Sequence, residues 1–144
     1  MSLDKNRTIH IVDTTLRDGS HALSHSYTVD QVTAIASGLD KVGVEIIELS
    51  HGDGLAGSSI NYGFTATPEL ELIKAASKVV KRAKLGVLLL PGVGTIEDLQ
   101  KAYESGARAV RVATHVTEAD IGIQHLQAAR DLGMMPIGFL MMSH

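Results

Sequence analysis

Three ionisable side chains crowd the end of one apolar run. Residues 13–21 read DTTLRDGSH, which sets Arg17 beside Asp18 and His21 three residues further on. An aspartate so placed is a hard oxygen donor suited to Mg²⁺ or Mn²⁺. The arginine offers a rigid fork of N–H donors for a carboxylate or a developing enolate oxygen. The histidine titrates near working pH and can act as a general base. The competing reading is structural: a buried Arg–Asp pair that braces a strand end, with the histidine on the surface. For an isolated RD dipeptide the brace is the default.

A second place for chemistry is the segment 51–66, HGDGLAGSSINYGFTA. It is too long and glycine-rich for a routine strand-to-helix link, and loops of that length in compact domains are usually functional. His51 opens it and is expected to line a substrate pocket. The remaining histidines have plainer explanations. His115 stands at another strand end, where entry into a helix accounts for it. His10 and His125 read as structural, and His25 as a loop residue. The turn PGVG (91–94) can approach a ligand backbone, but a lone G-x-G is weak evidence. Met134, Met135, Met141 and Met142 read as core filler.

Five apolar runs supply the scaffold: TIHIVD (8–13), VEIIEL (44–49), LGVLLL (85–90), AVRVAT (109–114) and PIGFLM (136–141). Amphipathic stretches between them carry helix punctuation. Thr28 with Gln31 makes a capping box. Thr67 precedes Pro68, an N-cap followed by proline at the first helical position. Thr95 with Asp98, and Thr117 with Asp120, place acids at the third helical position. Gly43, Gly106 and Gly133 fall where left-handed helix stops are expected. The order β-α-β-α-β-α-β-α-β, with strands apolar on both faces, predicts a helix-covered parallel sheet.

The 144 residues form at most one ordinary domain, with no linker or low-complexity tract. They amount to about four and a half βα units, where a full eight-unit barrel needs roughly 250 residues. The expected fold is α/β, the N-terminal half of a TIM (β/α)₈ barrel with parallel strands. A five-stranded doubly wound sheet is the alternative, although no phosphate-binding glycine fingerprint follows the first strand. Both edge strands of a half-barrel stay open, so self-association is expected.

Composition narrows the function. A net charge of −3 and few aromatics argue against nucleic acid or an anionic membrane as partner. No cysteine is present, so thiolate metal sites and thiol nucleophiles drop out. No run is long enough to span a membrane, and the polar opening MSLDKNR makes the cytoplasm the expected compartment. A Schiff-base mechanism needs a lysine at the C-terminal end of a strand. Lys41, Lys74, Lys78, Lys81 and Lys101 fall in predicted helices, and Lys84 precedes its strand. Metal-assisted chemistry is therefore the better expectation.

DTTLRDG after a first strand resembles the signature of the DRE-TIM metallolyases. DGSH, ELSHGDGL (48–55), LLLPGVGT (88–95), RVATHVTEAD (111–120) and GFLMMSH (138–144) resemble, in order, the 4-hydroxy-2-oxovalerate aldolase branch of that family. Acyl-CoA enzymes of the family carry a glutamine where this chain has His21. The resemblance implies roles. Asp18 is matched to the metal ligand and Arg17 to binding of the 2-keto acid; Asp18 and, from its place in the loop, His51 are the further substrate-binding candidates. Arg17 is also matched to enolate stabilisation, and His21 to the base that takes the proton of a 4-hydroxyl. Glu48 is matched to a carboxylate supporting the arginine, against the alternative of a solvated strand-end acid.

The implied reaction is retro-aldol cleavage of a 4-hydroxy-2-oxo acid such as 4-hydroxy-2-oxopentanoate to pyruvate and an aldehyde. It would use Mn²⁺ or Mg²⁺ and no organic cofactor, within meta-cleavage catabolism of aromatic compounds or steroids. An acylating acetaldehyde dehydrogenase is the implied partner. In the family an HxH pair and a late tyrosine complete the site, and neither occurs here; this sequence alone is therefore expected to be inactive or nearly so. An acyl-CoA condensing or cleaving member of the family, of isopropylmalate synthase or HMG-CoA lyase type, and a non-catalytic half-barrel assembly unit are the alternatives.

Overall fold

Five parallel strands lie in the order in which the chain makes them. The computed structural model describes residues 9–143. The opening residues 1–7, Thr8 of the first predicted strand and the final His144 lie outside the described residues. The strands are β1 (Val12–Asp13), β2 (Ile46–Glu48), β3 (Lys84–Leu89), β4 (Ala109–His115) and β5 (Met135–Met141), side by side as β1-β2-β3-β4-β5. A doubly wound sheet reverses its strand order part-way. This one never does. Its helices α1 (Val29–Val42), α2 (Glu69–Val79), α3 (Ile96–Ser105) and α4 (Ile123–Asp131) pack each on the next. The result is a curled half-barrel with its helices outside, the N-terminal half of a TIM barrel, and the doubly wound alternative falls.

The helix boundaries follow mostly from capping chemistry. The boxes Thr28–Gln31 and Thr95–Asp98 both form reciprocally. Positive φ at Gly43 lets α1 turn out through a left-handed stop, and its N–H satisfies the carbonyl of Asp40. Between sheet and helices lies the core, in which Val32, Ile47, Ile73, Val87, Leu89, Leu99 and Val110 are fully enclosed. Asp40 near the end of α1 is buried, and its carboxylate accepts the backbone N–H groups of Lys81, Arg82 and Ala83 at 2.7–3.1 Å. That clasp fixes the start of β3 against α1.

Several expectations need correction. Pro68 itself is the N-cap of α2, while the Thr67 hydroxyl turns away to donate to the carbonyl of Tyr27 at 3.1 Å. Thr117 does not start a helix: a 3-10 segment, Val116–Gly122, intervenes, and α4 begins at Ile123. β1 holds only two residues: the Ile11 carbonyl still accepts the Ile46 N–H at 3.3 Å, but the side chains of Ile9 and Ile11 are exposed. His10 is thus outside the strand, exposed, with Nδ1 2.5 Å from a Glu45 carboxylate oxygen. His115 precedes the 3-10 segment but makes no capping bond through its side chain. Of the methionines, Met134 is core, whereas Met142 is exposed.

Candidate active site

The loop after β1 is wound tightly by its own backbone. Asp13 accepts the N–H of Thr15 at 2.9 Å, and the carbonyl of Thr14 gathers the N–H groups of Arg17, Asp18 and Gly19. A 3-10 turn, Asp18–Leu23, follows, and Ser24 and His25 then both take positive φ, 48° and 57°. For side chains bearing Cβ that conformation costs about 1 kcal/mol or more, and it is held by the His25 N–H bond to the Ser20 carbonyl at 2.8 Å. The turn carries Arg17 inward and brings His25 back under His21.

Arg17 reaches the floor of the half-barrel. Its Nε donates to Glu48 Oε2 at 2.8 Å, and its Nη1 donates to Asp18 Oδ1 at 2.9 Å and to the Gly52 carbonyl at 3.3 Å. Glu48, on β2, is completely enclosed. It also receives a fork from Arg111 of β4, Nε to Oε1 at 2.6 Å and Nη2 to Oε2 at 2.8 Å. The Arg111 guanidinium lies over the Phe139 ring, 4.5 Å from its centroid. A buried carboxylate between two arginines is a fixed charge cluster, worth little as stability but a great deal as geometry. Glu48 is no solvated strand-end acid.

Asp18 itself is largely exposed, at 65% of its side-chain surface, with Oδ1 held by Arg17. His21 is exposed. Its ring meets that of His25 edge-on at 5.0 Å between centroids, and His25 stacks on His51 at 3.9 Å. Burial lowers the His25 pKa, aided by the neighbouring His51 and His21 and opposed by Asp53 and the Tyr62 backbone. Burial likewise lowers that of His51, against the Gly63 carbonyl and Asp53.

His51 does not offer itself to a ligand. Its Nε2 donates to the Gly63 carbonyl at 3.1 Å and its Nδ1 accepts the Asp53 N–H at 3.0 Å, so both nitrogens serve the loop. Beneath it the Glu69 carboxylate receives the N–H groups of His51 (3.0 Å) and Ala56 (2.8 Å). Burial raises the Glu69 pKa, and those two N–H bonds oppose the rise. The backbone at Gly52 runs so close to the imidazoles that a Cβ there would stand 2.5 Å from His21 Nε2 and 2.8 Å from His25 Cε1.

Among the described residues, one set of side chains gathers potential cation ligands: His21, His25 and Asp53, with ligand atoms all within 4.8 Å of one another. Asp18 is not in that set. It stands as a lone carboxylate donor.

The strand order, the site at the C-terminal strand ends and the sequence now converge on one family, because residues 8–132 match the HMGL-like family model. The chain belongs to the HMGL-like family. It is 67% identical over 138 residues to a 4-hydroxy-2-oxovalerate aldolase of Moorella thermoacetica, covering 96% of this chain and 41% of that protein. A namesake from Carboxydothermus hydrogenoformans is 59% identical over 138 residues, with the same coverage, 96% and 41%. The HMGL-like chain thus spans about two-fifths of the length of these relatives. Among solved structures it superposes on the N-terminal domain of a candidate aldolase from Bacteroides vulgatus with a TM-score of 0.72 and 18% identity, covering 90% of this chain and 44% of that one. The carboxyl transferase domain of Rhizobium etli pyruvate carboxylase gives 0.71 and 15%, covering 92% and 24%. These last two likenesses speak for the fold alone.

Four residues of this HMGL-like site were not singled out in the sequence. Arg111 is the one charge in the apolar run AVRVAT, and a buried charge requires a partner; that was a readable signal. Glu69 sits in the first turn of α2, where acids are ordinary, so nothing marked it. Asp53 was hidden within the long loop. His25 was read as a loop residue, yet its ring is the middle member of the imidazole stack.

Proposed function

We propose that this chain carries the catalytic end of a lyase that splits 4-hydroxy-2-oxo acids into pyruvate and an aldehyde by a retro-aldol step. The supporting observation is the Arg17 guanidinium: Nε is tied to Glu48, Nη1 to Asp18 and Gly52, and Nη2 has no partner among the described residues. A fork anchored on two sides with its third nitrogen uncommitted is preorganised to donate to one more oxygen. The name shared by the relatives supports the choice of substrate class.

On 4-hydroxy-2-oxopentanoate, His21 takes the C4 hydroxyl proton. The C3–C4 bond breaks, its electron pair passes through C2 to the 2-oxo oxygen, and acetaldehyde leaves. Arg17 Nη2 stabilises the oxygen on which negative charge develops. The enolate carbon C3 then regains a proton, giving pyruvate. Asp18, with one carboxylate edge unshared, fits a hard divalent cation such as Mn²⁺ or Mg²⁺ as a single protein ligand, the other donors being substrate oxygens and water. Such an ion would polarise the 2-oxo group as a Lewis acid. The acylating aldehyde dehydrogenase partner and the cytoplasmic, catabolic setting implied by the resemblance belong to the same proposal; no helix among the described residues is long and apolar enough to cross a membrane.

The test is calorimetric binding of oxalate, a planar mimic of the pyruvate enolate, in the presence of Mn²⁺. Binding should weaken by about tenfold to a hundredfold in Arg17→Lys, the range of one or two charge-assisted hydrogen bonds. Equal affinity in both proteins would sink the assignment. Pyruvate release from 4-hydroxy-2-oxopentanoate, measured against an acetyl-CoA-dependent condensation, separates the aldolase from its acyl-CoA relatives.

A further inference from the structure

We propose that His21, His25 and Asp53 form a second cation site, separate from Asp18, selective for a borderline divalent ion of the Zn²⁺ type. The assignment follows from where each proton must sit. Ser20 Oγ donates its single proton to the Arg17 carbonyl at 2.6 Å. Its contact of 3.1 Å with His25 Nδ1 therefore has the imidazole donating. His25 is thus held as the Nδ1–H tautomer, which puts its lone pair on Nε2. A histidine whose far nitrogen donates to a fixed oxygen is the usual arrangement of a metal ligand. Here the outer partner is already in place.

The other two donors are close and able to move. Ligand atoms of His21, His25 and Asp53 all lie within 4.8 Å of one another, with His25 buried, His21 exposed and Asp53 half-buried. Zn–N and Zn–O bonds near 2.1 Å place tetrahedral ligands about 3.4 Å apart. His51 is excluded as a ligand because both its nitrogens are engaged, yet it stacks under His25 and fixes the plane of the ring. Gly52 leaves the space above the imidazoles clear of any Cβ.

Charge permits it as well. Arg17 and Arg111 are offset by Glu48 and Asp18, leaving Asp53 as the uncompensated carboxylate beside the imidazoles. Two nitrogens and one oxygen favour Zn²⁺, Co²⁺ or Ni²⁺ over Mg²⁺, whereas a single carboxylate at Asp18 favours the reverse. The two sites therefore sort cations by softness. One consequence rests on the retro-aldol reading: a cation held here occupies the lone pair of His21, so ion binding and proton acceptance exclude one another, and the site is inhibitory.

The probe is Co²⁺, titrated into the metal-stripped protein and followed by visible absorption, in the parent and in His25→Gln, Asp53→Asn, Ser20→Ala and Asp18→Asn. One equivalent should bind, be displaced by Zn²⁺ and survive excess Mg²⁺. Affinity should fall by more than about a hundredfold in H25Q and D53N, fall by about tenfold to a hundredfold in S20A, and hold in D18N. The ligands His25 and Asp53 lie on different loops, after β1 and after β2, so no single folding defect can imitate the loss in both. Absorption that persists in H25Q and D53N, or vanishes in D18N alone, overturns the site. The titration reads binding only; its failure leaves the oxalate test standing, and failure of the oxalate test leaves this one standing.

Discussion

Glu48 and Arg111 meet in a two-pronged ion pair across the inside of the half-barrel, 2.6 and 2.8 Å long, from strands that are not neighbours. Inward-facing side chains of a barrel are layered by alternate strands, so β2 and β4 can touch over β3. The same carboxylate also receives Arg17. The position of the Arg17 fork is thus set, through Glu48, by an arginine of β4 as well.

Removing the charge of Glu48 should be severe. Glu48→Gln leaves two guanidinium groups facing an amide in a closed space, at a cost of about 3–5 kcal/mol. Urea unfolding should show that loss, and oxalate binding should fall with it. A variant as stable as the parent would mean that water reaches the cluster.

Gly52→Ala tests the clearance around the imidazoles. A Cβ would press on His21 Nε2 and His25 Cε1, not on backbone, so the rings must yield. A misplacement of about 1 Å can cost roughly a hundredfold in rate. Pyruvate release in a full-length relative carrying the equivalent change should fall on that scale, while the far-ultraviolet dichroism stays that of the parent.

Glu69→Gln should loosen the long loop. Both carboxylate oxygens accept backbone N–H groups, and an amide can accept only one without turning a donor on a donor. The cost is about 1–3 kcal/mol. Hydrogen exchange at Ala56 or His51 should speed up first; unchanged protection of both amides would contradict the clasp.

Asp40 should make stability depend on acid. Three backbone N–H groups, from Ala83, Arg82 and Lys81 in that order of effect, hold its pKa below the ordinary 3.8. A depressed carboxylate stabilises the fold above the unfolded value, and that contribution is lost as pH falls through the folded one. The stability difference between the parent and Asp40→Asn, measured by urea unfolding, should be full near neutrality and shrink below about pH 4. A difference that grows in acid would reverse the sign and refute the account.

Much of the fold could be read from the chain because its signals are local. Apolar runs, the Thr28 and Thr95 boxes and Gly43 each act within four residues. What escaped was non-local or ambiguous in kind. The shortness of β1 depends on where β2 ends its pairing, which Ile9 and Ile11 do not reveal. Thr117 has the letters of a cap but stands in a 3-10 segment. In the site, Arg17, Asp18 and His21 were legible as a string. Their surroundings were not: His25 reaches the imidazole stack only through two successive positive-φ residues, and no propensity announces that. His51 reads as a pocket-lining residue because it opens a long loop, and its hydrogen bonds make it a brace of that loop.

Arg17, Glu48 and Arg111 are separated by 31 and 63 residues of chain. Contacts that span so much chain carry the largest loop-closure entropy and tend to form late. Without Arg111 the enclosed Glu48 would keep a single guanidinium partner, Arg17, for its two carboxylate oxygens. The setting of the Arg17 fork therefore depends on the fourth strand as much as on its own loop.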